Sequence, residues 1–306
     1  MAENPTRIGA LNPAPATLLA VNASGLVKRY GDVLAVDGLD LEIPAGQFFG
    51  LLGPNGSGKT STIHMLATLI RPSSGSASVF GHDVVRDAVK TRASIGLVFQ
   101  ESALDRTLSI AENLRFAGLL YNLPSRIIEE RSAELLELFG LADKRSRPVG
   151  SLSGGMRRAL DIVRGVIHHP RILFLDEPTI GLDLPNRRKI WRFIENLRTQ
   201  TGMTVLLTTH YLEEADSCDR VAFIKSGKLV KSGSPAELVA RLGRYIVEIE
   251  SPDVETLAQR LAPTLGTCLF DGDVAHFRYA DEDVVRLAGL QSVPGIPVRA
   301  LRWRQP

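Results

Sequence analysis

The stretch "GPNGSGKTS" (residues 53–61) follows the apolar run "FFGLL" (48–52) and opens a helical segment. It satisfies the pattern G-x-x-x-x-G-K-[ST] with Gly53, Gly58, Lys59 and Thr60 in place. Strand, loop and helix in that order are the context in which this pattern binds phosphate. Gly53, Pro54, Asn55, Gly56, Ser57 and Gly58 form the curl of backbone whose N–H groups turn inward. Lys59 reaches the outer phosphate oxygens, Thr60 offers a hydroxyl to Mg²⁺, and Ser61 closes the loop. A side chain at Gly56 or Gly58 would block that approach.

Outward from this loop the chain reads as α/β. Strand-like runs lie at 25–30, 39–43, 76–80 and 95–100, and a helical pattern runs from 109 to 139. In that stretch Ser109 and Glu112 form a capping box, Pro124 interrupts, and Gly140 stands where a helix ends. Two short apolar runs, 172–175 and 204–207, flank a helical stretch at 186–199, which predicts buried parallel strands. A hairpin is expected to turn at Ser226-Gly227, and "SPAE" (234–237) starts a capped helix. Beyond residue 243 the order becomes β-α-β-β-α-β, with a helix at 282–290, the grammar of a small ferredoxin-like α+β unit. The expected organisation is a loose arm over 1–16, a nucleotide-binding domain over 17–242 with a helical subdomain at about 101–168, and an accessory domain over 243–306.

Composition narrows the class. Of 306 residues 44% are hydrophobic and 23% charged, which fits a globular chain and excludes disordered or collagen-like classes. The net charge of +2 gives no global field for nucleic acid. Cys218 and Cys268 show no metal-ligand spacing and no disulfide framework, the usage of a reducing compartment. No apolar run approaches the ~20 residues that cross a bilayer.

"RILFLDEP" (171–178) supplies the second half of a phosphate site, because its apolar run carries Asp176 to a strand end, where it can hold Mg²⁺ through water. The Asp176-Glu177 pair reads either as a helix cap or, beside a P-loop, as a metal holder followed by the group that polarises the attacking water. "LSGGMRRALD" (152–161) places a Ser-Gly-Gly turn at a helix start, an arrangement that suits an anion or simply a tight loop.

The order P-loop, "LSGGM", "ILFLDEP", "GLD" (181–183) and "TTH" (208–210) resembles the nucleotide-binding subunit of an ATP-binding-cassette (ABC) transporter over about residues 20–242. The run "LSGGMRRALDIVRGVIHHPRILFLDEPTIGLD" (152–183) is similar to the daunorubicin-resistance-type branch of drug and antibiotic exporters, in which Met-Arg-Arg is typical and many other relatives have Gln where Met156 stands. The resemblance implies a P-loop NTPase fold with a mixed sheet and helical subdomain, and ATP and Mg²⁺ as ligands. It makes Tyr30 the ring that stacks on adenine, Gln100 the glutamine that touches Mg²⁺ and water, and His210 the residue that bonds the γ-phosphate and keeps Glu177 and the water in place. On residue type alone, Tyr30 reads as a strand-face tyrosine, Gln100 as a solvated strand end and His210 as structural.

The resemblance further implies a homodimer of cassettes paired head to tail. Ser153, Gly154 and Gly155 of one subunit would close over the γ-phosphate held by the other, with Asp183 as the cross-dimer contact. Arg157 and Arg158 read as a solvated helix face in preference to a phosphate contact. The implied partner is an integral-membrane permease on a separate chain, seated near residues 101–114, and the implied location is the cytoplasmic face of the membrane. No nucleic-acid partner is expected. The competing reading is a soluble ABC ATPase acting on ribosomes or DNA, which generally carries two cassettes or long coiled-coil or zinc insertions that this chain lacks.

Overall fold

The protein is described from a computed structural model over residues 18–240, 245–265, 268–279 and 297–304. The expected arm at 1–16, the boundary after 242 and the helix at 282–290 lie outside these residues. The chain divides into two compact units, Met1–Ser232 and Gly233–Pro306.

The first unit opens with two long strands, β1 (Leu19–Tyr30) and β2 (Val33–Pro44), then β3 (Phe48–Leu52). The P-loop leads into α1 (Lys59–Leu66), followed by β4 (Ser74–Val79), β5 (His82–Asp83), α2 (Ala88–Ser94) and β6 (Ile95–Val98). Three helices come next without an intervening strand: α3 (Ile110–Leu120), α4 (Ser125–Leu138) and α5 (Gly154–Val166). Then follow β7 (Ile172–Asp176), α6 (Leu184–Thr201), β8 (Thr204–Thr209), β9 (Arg220–Lys225) and β10 (Lys228–Gly233).

Two sheets result. An antiparallel one has the order β2-β1-β4-β5, and a six-stranded one has the order β10-β9-β3-β8-β7-β6, in which β3 runs parallel to β8 and β9, and β7 to β6 and β8. Strands β3, β7 and β8 are buried along their whole length, which is why their sequences are unbroken apolar runs rather than alternating ones. Their core continues through Ile63, Met65 and Leu66 of α1 to Leu26, Leu39, Ile43 and Val79 of the antiparallel sheet. Each of those side chains contributes roughly 1.5–3 kcal/mol by leaving water, so the helix behind the P-loop is pinned between two sheets.

Local signals read from the sequence hold. Ser109 and Glu112 form both arms of a capping box on α3, Pro124 caps α4, and Gly140 takes φ 64°. The β9–β10 hairpin turns through Ser226 and Gly227 at φ 50° and 79°.

The second unit comprises α7 (Pro235–Ala240), β11 (Tyr245–Glu250), α8 (Val254–Leu265), β12 (Cys268–Asp271), β13 (Val274–Tyr279) and β14 (Ala300–Arg304). Its four described strands are antiparallel in the order β12-β13-β11-β14, which agrees with the strands of the expected ferredoxin-like pattern. Ile249, Leu257, Ala275 and Phe277 form its small core.

Candidate active site

The register of the parallel strands assembles the site. Leu52 stands beside Thr209 and Asp176 beside Thr208, so β3, β7 and β8 end on one line. The residues that follow those ends, Gly53, Glu177 and His210, therefore emerge at the same edge of the sheet, where open α/β sheets bind ligands.

Two glycines of the loop are dictated by neighbouring backbone. A Cβ on Gly53 would meet the Ile224 carbonyl at 2.2 Å, and one on Gly58, at φ 104°, would meet the Ala35 carbonyl at 2.4 Å. Gly56 is different: it has open space but takes φ 76°, a conformation that L side chains rarely adopt. Only there does the expectation of a glycine facing the ligand rest on open space. Lys59 is 4% exposed and donates from Nζ to the carbonyls of Gly53 (2.9 Å) and Pro54 (3.2 Å). Its Nζ also lies 3.4 Å from Glu177 Oε1. The Ser57 Oγ is buried with no hydrogen-bond partner inside the same loop.

Thr60 donates its hydroxyl to Asp176 Oδ1 at 3.2 Å, and Thr208 donates to the same oxygen at 2.5 Å. A hydroxyl and a carboxylate so placed form an all-oxygen donor set that suits a hard cation such as Mg²⁺. Glu177 is 8% exposed and sits at φ 46°, left-handed for a residue with a side chain. Its backbone N–H donates to both the carbonyl and the hydroxyl oxygen of Thr208 (3.2 and 3.0 Å). The His210 Nδ1 stands 3.4 Å from Glu177 Oε2, and the imidazole packs on Tyr211 with ring centroids 4.0 Å apart.

Gln100 is exposed, two residues beyond the end of β6 rather than on the strand as expected. It lines a cleft of about 400 Å³ with Asn55, Gly56, Lys59, Thr60 and Glu177. Tyr30, at the end of β1, is 46% exposed, and its hydroxyl is 3.5 Å from Ser61 Oγ, so the ring stands beside the loop.

Ser153 and Asp183 lie outside this cluster. Both are exposed helix N-caps: the Ser153 Oγ accepts from the Met156 N–H (3.4 Å), and Asp183 Oδ1 accepts from the Asn186 N–H (2.9 Å). Gly154 has open space around it, whereas a Cβ on Gly155 would stand 2.7 Å from Asn186 Oδ1. The helix starts of α5 and α6 are thus in contact, and a side chain at position 155 would have to displace Asn186 of its own chain.

Sequence reasoning misplaced or missed several groups. Arg158 does not belong to a solvated face; it is 7% exposed and is hydrogen-bonded to backbone around the end of β7. Thr208 carries a carboxylate contact that only "TTH" hinted at. Thr179 donates to the carboxylate of Glu214, and both are buried, joining the turn after β7 to the segment after His210.

Residues 36–180 match the ABC transporter family. The chain is 46% identical over 241 residues to the daunorubicin/doxorubicin resistance ATP-binding protein DrrA of Streptomyces peucetius, covering 78% of this chain and 73% of that protein. This chain is an ABC transporter ATP-binding subunit. The chain is also 38% identical over 286 residues to the Nod factor export ATP-binding protein I of Cupriavidus pinatubonensis, covering 93% and 87% of the two chains. Among solved structures it resembles cbiO1 of Clostridium perfringens, part of the ABC transporter complex cbiONQ, with a TM-score of 0.68 at 26% identity over 81% of this chain and 96% of that one. The dimeric post-hydrolysis cassette MJ0796 bound to ADP and Pi gives 0.64 at 25% identity, over 70% and 98%. The chain is accordingly an ATPase subunit of the ABC type. Among the described residues no helix is long and apolar enough to cross a membrane.

Proposed function

We propose that this ABC subunit hydrolyses ATP as a head-to-tail homodimer on the cytoplasmic face of the membrane, driving a permease on a separate chain that exports a drug- or antibiotic-like small molecule. The observation that carries the chemistry is the convergence of Lys59, Thr60, Asp176, Glu177 and His210 at one sheet edge, set by strand register. Lys59 and the P-loop N–H groups bind the β- and γ-phosphates. Glu177 polarises the attacking water, and His210 bonds the γ-phosphate while holding Glu177. Tyr30 stacks on adenine. Mg²⁺ would be held by Thr60, Gln100 and, through water, Asp176, and supplies neutralisation of phosphate charge. Ser153, Gly154 and Asp183, exposed on two adjoining helix starts, meet the nucleotide held by the second copy, together with the half-buried Gly155.

The permease seat is assigned to residues 101–114, the loop that follows Gln100 and the first turn of α3. Export of an antibiotic-like molecule follows the resistance proteins named above, and selectivity would reside in the permease. Tagged protein should co-purify from detergent-solubilised membranes with a polytopic partner. Co-purification with ribosomes and no membrane protein would overturn the reading.

A further inference from the structure

The guanidinium of Arg158 lies inside the protein, and none of its hydrogen bonds goes to a carboxylate. Nε donates to the Pro178 carbonyl (2.5 Å), Nη1 to that of Phe99 (2.6 Å), and Nη2 to those of Asp176 (3.3 Å) and Glu177 (3.2 Å). Three of these acceptors are consecutive residues leaving β7, and the fourth immediately precedes Gln100. A planar fork of fixed N–H directions ties two segments at set spacing and angle; a lysine has three donors, but all on one freely rotating nitrogen.

The fork has something to hold. A residue with a Cβ is strained at φ 46°, so Glu177 stays there only because its surroundings enforce it. Thr208 grips the Glu177 N–H from one side and Arg158 its carbonyl from the other. Asp161, one turn further along α5 and 3% exposed, supplies countercharge and accepts the Ala103 N–H at 3.3 Å, so the same helix also holds the loop just after Gln100. Burial pulls the Arg158 pKa down, which the charges of Asp161 and Asp176 oppose. Burial pushes the Asp161 carboxyl up.

The Ser153–Gly155 turn opens the same helix, about one turn before Arg158. We propose that Arg158 is a positioning residue that locks the backbone of Glu177 and Gln100 to α5, so that engagement of the Ser153–Gly155 turn by the nucleotide of one site sets the hydrolytic carboxylate of the other. This rests on the head-to-tail pairing proposed above. Arg158 touches no substrate; it acts through the backbone that it ties.

The test uses the full chain with Arg158→Lys, which keeps the charge without the fork, and Arg158→Met, which keeps neither. ATPase rate is measured against ATP concentration, together with ATP affinity and melting temperature. Arg158→Lys is expected to bind ATP within about threefold of wild type while kcat falls ~10-fold or more, as misplacement of a reacting group does, and the Hill coefficient for ATP drops toward one. Arg158→Met should lose more kcat than the lysine variant. If it does not fold, the lysine variant alone decides. Wild-type kcat and cooperativity in Arg158→Lys would overturn the proposal, as would losses of kcat and ATP affinity in equal proportion. Glu177→Gln, assayed for pairing with ATP, separates the two levels. If it never pairs, the head-to-tail reading fails; if it pairs while Arg158→Lys turns over normally, only the positioning role fails.

Discussion

Lys59 Nζ and Glu177 Oε1 face each other at 3.4 Å with both side chains buried. The P-loop cation and the carboxylate after β7 are therefore electrostatic partners within one chain. Neither charge can be removed without changing the setting of the other, and this distinguishes the two substitutions at the pair.

Glu177→Gln keeps size and reach but removes the negative charge and the basicity. Hydrolysis should fall by roughly 10²-fold or more, while ATP affinity holds or tightens because Lys59 no longer shares its charge with a carboxylate. Size exclusion should then show dimer with ATP and Mg²⁺ and monomer with ADP. Normal hydrolysis, or an ATP-saturated monomer, would refute the assignment.

Lys59→Ala should abolish turnover and most ATP affinity, and should also lower stability. It leaves the Glu177 carboxylate buried with its ammonium partner gone, a defect of roughly 1–3 kcal/mol or more. The double substitution Lys59→Ala with Glu177→Gln should recover stability but no activity. A single Lys59→Ala variant that melts at the wild-type temperature and still binds ATP would count against both statements.

At the Gly155 position two constraints can be separated. Gly155→Ala should lower stability by about 1–2 kcal/mol, because the new Cβ displaces the Asn186 side chain. Adding Asn186→Ala should restore the melting temperature but not the ATPase rate, since the turn proposed to meet the second subunit's nucleotide would still carry the extra methyl group. Full recovery of turnover in the double variant would mean that Gly155 serves only its own chain.

His168 gives a pH signature. Burial pulls its pKa down to about 4 against the backbone hydrogen bond to the Ile95 carbonyl, which raises it. Nε2 lies 3.0 Å from that carbonyl, the imidazole stacks on Tyr121 at 3.6 Å, and Nδ1 is buried without a partner, so a second proton has nowhere to bond. The folded pKa is below the unfolded one, so the neutral ring's contribution is complete above pH ~6.5 and is lost as pH falls toward ~4, roughly 2 kcal/mol of it by pH 5. His168→Gln keeps a donor for Ile95 and should flatten the dependence of the urea midpoint between pH 7.5 and 5. Equal slopes in the two proteins would exclude His168 as the source.

The sequence revealed what is contiguous. Residues 53–61 and 171–178 each carry strand, turn and chemistry in one run, so both halves of the phosphate site could be read directly. It concealed what folding brings together from a distance. Arg158 stands next to another arginine at the start of an amphipathic helix, which reads as a wet face. Its burial comes from carbonyls 20 and 59 residues away along the chain. The Gly155–Asn186 contact is hidden for the same reason, because a glycine in a motif suggests its ligand before its neighbour. The β12–β13 hairpin of the second unit is legible because a tight turn and two-residue periodicity are local.

The left-handed backbone at Glu177 also sets the direction of drift once hydrolysis is no longer under selection. Glycine, and to a smaller degree asparagine or aspartate, fits that conformation better than glutamate. Activity and thermal endurance therefore pull position 177 in opposite directions. A library of this gene screened for heat resistance alone should place glycine there only in clones that also replace Lys59, whose buried ammonium would otherwise lose its carboxylate; such cassettes would outlast the parent and turn over nothing.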